Sequence, residues 1–489
     1  MFRSIVEYYP EHGGYKCGYC KSPDTNFSHG MWAHTLTVGD YQDLIDRGWR
    51  RSGQYCYKPT MDMTCCPLYT IRCRVLEFKA TKSQKKVLKK FNRYLSGQTD
   101  DGVEGNGERK MSTCSSGGDA EEGGEGREHF VESHKEHQDI DLSNIKMLTE
   151  NESGDVAKGG ASVSDDLNAC PKLKQKERKE STGPDPTKGP CKKAKQMRRE
   201  RKLEKLKEKG IDVTTLSSKN KEKQLEDFIN ELPDDFKQKL EVKLVRTTPP
   251  SPEWLASAKE THEVYVKYQT VIHNDKPDKC TRSKFHSFLV KSPLLEEHSE
   301  GGPPCGYGSF HQQYWLGGRL LAVGVVDILP KCVSSVYFFY DPDYMNLTPG
   351  TYGALREIEF TRKLHSVAPQ LKYYYMGYYI HSCRKMRYKG NFYPSDLLCP
   401  ETYDWFPLKD CIPKLEASPY SRLNPDIDSI DTNHPTDSDL NYIPILVDGN
   451  VMLYEAFRRK NKKNDDKSEV MEYVGFVGSK TAKSMILVR

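Results

Sequence analysis

The chain has 489 residues, and its 74 lysine and arginine residues nearly balance 69 aspartate and glutamate residues, for a formal net charge of +5. This length is enough for two or three domains with cores of their own. No run of 18 or more apolar residues occurs, and the first residues lack an apolar signal segment, so we expect neither a membrane span nor a secreted protein. The fifteen cysteines are therefore expected in the cytoplasm and nucleus, as metal ligands or free thiols.

Four cysteines near the start of the chain have the spacing of a metal site. Cys17 and Cys20 flank two residues, and a tight turn can direct both thiolates at one ion. Cys65 and Cys66 need a bent loop to do the same, which Pro67 favours. Zinc and an iron–sulfur cluster both suit all-sulfur ligation, and inert reduced thiols are the alternative. The alternate ligands are Cys56, Cys73, His29 and His34.

The next elements lead into a segment of low complexity. A strand is predicted over 69–78, and a helix from Ser83 with apolar residues on one face and lysines on the other. Residues 96–190 are rich in glycine, serine and acidic residues, which predicts a disordered insert. The basic run over 192–209 favours a helix; a solvated spacer, an RNA contact and a nuclear import signal are the alternatives.

Ordered structure is predicted to resume near Lys223. Apolar runs over 319–329 and 335–340 are typical of strands buried on both faces, and helical spacing begins at Tyr352. Asp327 interrupts the first run, and a carboxylate inside a buried strand is costly unless it is paired or used. Further predictions are helices over 225–232 and 260–273, strands over 284–290, 373–380 and 472–477, and a turn over 447–450.

Several long motifs carry a resemblance to a known family. The stretches CGYC, MTCCPLYTIRC, KFHSFLV, SFHQQYWLGGRLLAVGVVDILP and SSVYFFYDPDY resemble the eukaryotic arginyl-tRNA–protein transferases, over roughly 1–95 and 225–420. The resemblance implies transfer of arginine from arginyl-tRNA to the N-terminal amine of proteins that begin with Asp, Glu or oxidised Cys. Such products enter ubiquitin-dependent degradation through the N-degron pathway. It also implies that Cys17, Cys20, Cys65 and Cys66 hold a 4Fe–4S cluster or zinc.

The resemblance further implies an α/β (α+β) fold with tandem GNAT-like acyltransferase halves, an N-terminal Cys-rich module and a disordered insert. The expected boundaries are 1–95 for the Cys-rich domain that starts the first half, 96–190 for the insert, 191–222 for a basic helical linker, 223–295 for the rest of the first half, 296–420 for the catalytic half and 421–489 for a C-terminal extension. We expect a monomer that consumes no soluble cofactor, with a metal centre that is structural, regulatory or redox-sensing.

Candidate site residues can be assigned from the chemistry of aminoacyl transfer. An aminoacyl ester is already activated, so the protein must orient an amine, accept a proton and stabilise an oxyanion. The catalytic candidates are Asp327, His311 and Gln312. The candidates for an acidic acceptor side chain are Arg384, Lys385 and Arg387, with Lys389 beside them, and those for tRNA phosphates are Arg50, Arg51, Lys58 and Arg356.

Structural roles remain as alternatives for these residues. Asp327 would then be a carboxylate hydrogen-bonded to backbone at a strand end, and the cations after 380 would form a basic surface turn. A non-catalytic tRNA-binding adaptor is the rival function. An acetyl-CoA-dependent acetyltransferase is a second rival, which the loop 346–353 disfavours because it departs from the usual glycine-rich pyrophosphate cradle.

Overall fold

The structure, a computed structural model, describes residues 3–10, 13–97, 146–147, 223–231, 238–461 and 466–489. The described residues of 3–147 and of 224–489 belong to one compact unit. The predicted insert and basic linker lie outside the described residues, apart from 96–97 and 146–147. All described helices and strands belong to this unit.

The described part of the chain contains helices and strands in mixed order. The helices are α1 (Val38–Ile45), α2 (Lys82–Leu95), α3 (Leu225–Ile229), α4 (Pro252–Ile272), α5 (Arg282–Phe285), α6 (Pro349–His365), α7 (Arg384–Arg387), α8 (Leu408–Ala417), α9 (Tyr454–Lys460), α10 (Lys467–Val477) and α11 (Ser479–Ser484). The strands are β1 (Ile5–Tyr9), β2 (Ser28–Thr35), β3 (Arg50–Ser52), β4 (Tyr55–Pro59), β5 (Tyr69–Arg74), β6 (Lys146–Met147), β7 (Leu240–Thr248), β8 (Gly308–Leu316), β9 (Arg319–Ile328), β10 (Cys332–Tyr340), β11 (Tyr373–Tyr379), β12 (Ser395–Leu398), β13 (Trp405–Pro407), β14 (Pro444–Val447), β15 (Asn450–Leu453) and β16 (Ile486–Val488).

The first sheet joins the two ends of the chain. Its strand order is β3-β4-β2-β1-β16-β14-β15-β6, and β16 pairs in parallel with both β1 and β14. Residues of β1, β2, α1 and α10 share one hydrophobic core with Val326 and Ile328 of β9. The first sheet and its helices therefore pack against one face of the second sheet.

The second sheet carries the long apolar strands. Its order is β13-β12-β5-β11-β10-β9-β8-β7, so β5 from the N-terminal segment lies between β11 and β12. The β10–β11 pair is parallel, and α6 makes the crossover between these strands. Helices α2, α4 and α6 pack in a second hydrophobic core, which also contains Tyr374 of β11.

Strands β10 and β11 separate along their length. They pair only from Cys332 opposite Tyr373 to Ser334 opposite Tyr375, although β10 runs to Tyr340 and β11 to Tyr379. A register shift between Tyr375 and Tyr378 on the β5 side, with Gly377 at φ 70°, bends β11 at the point of separation. Glycine adopts such a backbone conformation with the least strain, because it has no Cβ. The separation leaves a gap in the middle of the sheet.

The α/β class is confirmed, as are the apolar strands β9, β10 and β11 and the helices α2 and α6. The strand predicted over 284–290 is wrong, because the chain there forms α5 and a π-helical turn, His286–Val290. The strand predicted over 472–477 is also wrong, since it lies in α10, where Val470, Val474 and Val477 are buried at helical spacing. A short apolar run fits the periodicity of a helix as well as that of a strand. In these two segments, tertiary packing selects the helix. The division into GNAT-like halves stays a prediction.

No described helix is both long enough and apolar enough to cross a membrane.

Candidate active site

A cavity of about 270 Å³ occupies the gap between β10 and β11. Its wall takes backbone and side chains from 334–338 of β10, from Tyr374 and 376–378 of β11 and from the first turns of α6. The N-terminal segment completes it with 50–52 of β3 and with Gly18, Tyr19 and Lys21 of the cysteine loop. The gap between the two strands therefore connects both sides of the second sheet.

Helix α6 begins at the cavity. Thr348 adopts a left-handed conformation (φ 58°), Pro349 occupies the first turn, and Gly350 lies in the cavity wall. Gly353 packs against the ring of Phe338 so closely that a Cβ there would lie 2.2 Å from a ring carbon. The glycine allows the helix to approach β10, which sets the helix against the open part of the sheet.

Glu357, on α6, is the one carboxylate among the described residues that line the cavity. Its side chain is buried, and Tyr374 Oη donates a 2.6 Å hydrogen bond to Oε2. Oε1 has no hydrogen-bond partner, and it lies 2.5 Å from where a Cβ at Gly324 would be. Burial raises the pKa of Glu357 to about 7, although hydrogen bonds from Tyr374 and Ser335 oppose the shift. The carboxyl group of Glu357 can therefore gain or lose its proton near neutral pH.

Arg50 of β3 brings a buried cation to the same cavity. Its Nη1 donates to the carbonyl oxygens of Trp49 (2.6 Å) and Ile45 (3.3 Å), and Nη2 donates to Gly377 O (3.5 Å). The guanidinium also lies 5.3 Å from the ring centroid of Tyr378. Within the described ranges Arg50 forms no ion pair, and its Nε has no hydrogen-bond partner. A buried positive charge without a counterion is ready to bind an anion.

Arg51, the next residue, has the opposite surroundings. Its Nη2 and Nε donate to the two carboxylate oxygens of Asp327 at 2.6 and 2.8 Å, and Ser309 Oγ donates to Oδ1 of Asp327 at 2.7 Å. Asp327 is fully buried and is absent from the cavity wall. A carboxylate held this way is occupied by its partners, so the geometry supports a structural ion pair rather than the predicted catalytic role.

The other two catalytic candidates also lie away from the cavity. His311 is fully buried, its Nε2 donates to Leu289 O at 2.9 Å, and its ring stands edge-on to Trp254. Burial lowers the pKa of His311 to about 4, so the ring is neutral near pH 7. Gln312 is buried and accepts a 2.7 Å hydrogen bond from Tyr314 Oη. Both side chains belong to β8 and are held by the hydrogen bonds just described, and neither lines the cavity.

Of the residues predicted to bind the acceptor, some line the cavity and others do not. Lys385 of α7 lines the cavity, whereas Arg384 and Arg387 are exposed and lie outside its wall. Lys389 is buried in the wall and donates a 2.9 Å hydrogen bond to Tyr378 O. With Arg50, these lysines make the part of the cavity beside the cysteine loop positively charged.

The predicted tRNA contacts do not share one surface. Arg50, Arg51 and Lys58 are buried, and Lys58 Nζ donates to Arg47 O (2.7 Å) and Tyr403 Oη (2.8 Å). Such side chains are not exposed to phosphates, so direct tRNA contact is not supported at these three positions. Arg356 is half-buried beside Tyr352, with 3.4 Å between Nη1 and Oη.

The four predicted cysteines come together. The Sγ atoms of Cys17, Cys20, Cys65 and Cys66 all lie within 4.8 Å of one another, so this set can hold a metal ion. Cys17 and Cys66 pack in one cluster with Tyr378, Ile380 and Met386, next to the end of β11. Hydrogen bonding to Ser22 lowers the pKa of the Cys20 thiol to about 6, which favours the thiolate that a metal binds. The cysteines thus anchor the loop that supplies Gly18, Tyr19 and Lys21 to the cavity.

Sequence patterns did not single out Glu357, and they placed Arg50 among the candidate tRNA contacts, which stays a prediction. The signal for Glu357 was weak: a charged residue between Leu355 and Ile358, on the face of α6 expected to be buried. The sequence shows Arg50 as a cation near the cysteines, but only the fold shows that it contacts β11 and lacks a counterion among the described residues.

Comparisons with known proteins identify the family of this chain. Family models described as the N terminus and the C terminus of arginine-tRNA-protein transferase match residues 15–86 and 260–399. The chain is 42% identical to arginyl-tRNA–protein transferase 1 of Drosophila melanogaster over the full length of both, and 36% identical to that of Arabidopsis thaliana, covering 85% of this chain and 75% of the relative. An aspartate/glutamate leucyltransferase of Pseudomonas aeruginosa is 34% identical over 33% of this chain and 59% of its own. The chain therefore belongs to the arginyl-tRNA–protein transferase family, enzymes that transfer arginine from tRNA to proteins.

Proposed function

We propose that the protein transfers arginine from arginyl-tRNA to the N-terminal amine of proteins that begin with Asp or Glu, with oxidised Cys as a further acceptor. The observation that carries this proposal is the charge of the cavity wall beside the cysteine loop. There Arg50, Lys385 and Lys389 contribute cations, and Arg50 has no carboxylate partner among the described residues.

An acidic first residue complements this part of the cavity. Its side-chain carboxylate can accept charge-assisted hydrogen bonds from the Arg50 guanidinium, whose Nε lacks a partner. Aspartate, glutamate and cysteine sulfonate all carry the required negative charge, whereas asparagine, glutamine and glycine do not. The Pseudomonas relative is named for aspartate and glutamate, which supports an acidic acceptor here as well.

The transfer itself needs positioning more than a cofactor. The neutral acceptor amine attacks the ester carbonyl of the aminoacyl group and a tetrahedral oxyanion forms. As this collapses to the amide, the C–O bond to the ribose breaks, and the proton lost by the amine is passed to the leaving ribose oxygen. Because β10 and β11 do not pair beyond Ser334 and Tyr375, their backbone groups at the gap are not committed to each other. Backbone N–H groups of this kind can stabilise the oxyanion.

We further propose that the four cysteines bind zinc or an iron–sulfur cluster in a structural or redox-sensing role. A tetrahedral zinc ion with Zn–S bonds of about 2.3 Å sets its sulfur ligands about 3.8 Å apart. Sulfur atoms within 4.8 Å of one another fit a single ion well. The bound group would hold Gly18, Tyr19 and Lys21 against the cavity. The proposed product, an N-terminal arginine, would mark proteins for the N-degron pathway in the cytoplasm and nucleus.

A transfer assay tests the proposal. The full-length protein is incubated with labelled arginyl-tRNA and with peptides that start with Asp, Glu, Asn, Gln or Gly but are otherwise identical. We expect label in the Asp and Glu peptides at rates at least 100-fold above those of the other three. Equal rates for all five would refute the acidic specificity. Absence of transfer, with equal affinity for charged and uncharged tRNA, would favour the adaptor.

A further inference from the structure

The outer side of α2 carries positive charge only. Its exposed cations recur at helical spacing on one side of the helix, and they are Lys82, Lys86, Lys89, Lys90 and Arg93. We call these five residues the basic stripe of α2. The helix contains no acidic residue, and within the described part of the chain no residue of the stripe forms an ion pair.

This charge pattern is unfavourable for the helix itself. Lys82 and Lys86 are four positions apart, as are Lys89 and Arg93, and like charges at this spacing destabilise a helix. Lys82 also lies in the first turn, where the helix dipole favours acidic residues. A solvated helix face commonly mixes both signs of charge. The uniform sign of the stripe therefore indicates a negatively charged partner.

Acidic side chains on the elements beside α2 do not neutralise the stripe. In α3, Glu226 pairs with Arg362 at 3.0 Å, and Asp227 accepts a hydrogen bond from the backbone at the start of the helix. In the turn before α6, Asp343 pairs with Lys267 at 2.6 Å. The partner that compensates the stripe therefore has to come from another molecule.

The basic stripe adjoins the entrance of α6 and thus the cavity. Lys90 Nζ donates a 2.6 Å hydrogen bond to Asn346 O, four residues before Gly350 in the cavity wall. Phe91 stacks on Tyr352 of α6, with 3.9 Å between the ring centroids. At 1.5 Å per residue, the stripe extends about 16 Å along the helix. A ligand that lies along it can therefore reach the cavity with one end.

An RNA backbone fits the stripe better than a membrane does. Helices that bind membrane surfaces insert an apolar face into the lipid, whereas the apolar face of α2, with Leu88, Phe91 and Leu95, is buried in the second hydrophobic core. Double-stranded RNA is bound largely through its phosphates and its shape. The family transfers arginine from tRNA, so this protein has an RNA substrate whose 3′ end must enter the active site.

We propose that the basic stripe of α2 binds phosphates of the acceptor stem of arginyl-tRNA and directs its 3′ end into the cavity. This inference rests on the proposed function, because it concerns the donor of the same transfer. Contacts to phosphates position an RNA without reading its sequence. The stripe therefore contributes affinity for tRNA whether or not the tRNA carries arginine.

The test measures binding of the full-length protein to an uncharged, fluorescently labelled tRNA transcript by anisotropy, at a series of salt concentrations. The triple variant Lys86→Gln, Lys89→Gln, Arg93→Gln is expected to bind at least tenfold more weakly at about 0.1 M salt. Each phosphate contact contributes about 0.9 to the slope of log affinity against log salt, so the slope is expected to fall by about 2 to 3. Lys86→Gln alone is expected to lower it by about 0.9. KM for arginyl-tRNA is expected to rise with Kd.

The matched control removes the same charge from another helix. Its substitutions are Arg458→Gln, Arg459→Gln and Lys460→Gln, at three exposed cations of α9, a helix whose Phe457 packs in the other hydrophobic core. The control is expected to change Kd by less than twofold. Circular dichroism of each variant verifies that the helices are retained.

Two results would overturn the inference: an unchanged Kd and salt slope in the triple variant, or equal losses in the variant and the control. An unchanged Kd together with lost binding to phosphatidylserine vesicles would assign the stripe to a membrane surface instead. Transfer by the wild type to Asp and Glu peptides is measured separately. A protein that transfers arginine but binds tRNA without the stripe refutes only the docking surface, whereas a protein without transfer refutes the proposed function.

Discussion

Two buried charged regions lie next to each other in this protein and differ in how their charges are compensated. In the first, Arg51, Asp327 and Ser309 form a closed network in which both carboxylate oxygens are occupied. In the second, Arg50 and Glu357 line the cavity without an ion pair among the described residues, and each has an atom without a hydrogen-bond partner. Arg50 and Arg51 are adjacent in sequence and are each 6% exposed, so burial does not distinguish them. The two regions differ in whether the arginine has a carboxylate partner. Arg51 has one and forms a structural ion pair, whereas Arg50 has none among the described residues and marks a candidate binding site.

The largest effect is expected from opening the closed network. Asp327→Asn removes the negative charge and leaves Arg51 buried without a counterion. Removing one partner of a buried ion pair lowers the free energy of unfolding by about 3–5 kcal/mol. Urea unfolding of the full-length protein measures this. The double variant Arg51→Met, Asp327→Leu should lose less than Asp327→Asn alone, because no unpaired charge remains. A stable Asp327→Asn protein that has lost transfer would instead give Asp327 a catalytic role.

The second prediction concerns the pH dependence of stability that Glu357 causes in the region of the cavity. The pKa of Glu357 is raised from 4.5 to about 7 by burial, so the native state binds a proton more tightly than the unfolded state. This contribution to stability is complete below about pH 4.5 and is lost as pH rises through 7. At about 1.4 kcal/mol per pKa unit, roughly 3 kcal/mol is involved.

The Glu357→Gln variant is therefore expected to gain stability relative to the wild type between pH 5 and pH 8. Urea unfolding at both pH values measures the change, and titration of His311 is common to both proteins and cancels in the difference. A stability difference that is constant with pH would mean that Glu357 titrates normally.

The sequence was informative wherever a local pattern decides the structure. The apolar runs of β9 and β10 and the amphipathic helix α2 were predictable, because their periodicity is strong. The cysteine set was predictable because two short motifs supply all four ligands. Arg51 and Asp327, in contrast, are 276 positions apart, and nothing local pairs them. The cavity depends on a bend at Gly377 and on the insertion of β5 beside β11, which are properties of the assembled sheet.

The smallest of the three effects concerns Arg50 and tests the central claim most directly: that the uncompensated cation in the cavity binds the acidic side chain of the acceptor. Arg50→Gln keeps hydrogen-bond donors and removes the charge. A charge-assisted hydrogen bond contributes about 2 kcal/mol, which corresponds to roughly 30-fold in affinity.

Initial rates of arginine transfer are measured for wild type and Arg50→Gln with peptides that begin with Asp or Asn. The control is Arg384→Gln, because Arg384 is exposed and lies outside the cavity wall. We predict that Arg50→Gln raises KM for the Asp peptide about 30-fold and leaves the weak transfer to Asn unchanged. An unchanged ratio of Asp to Asn transfer in a folded Arg50→Gln protein would contradict the claim.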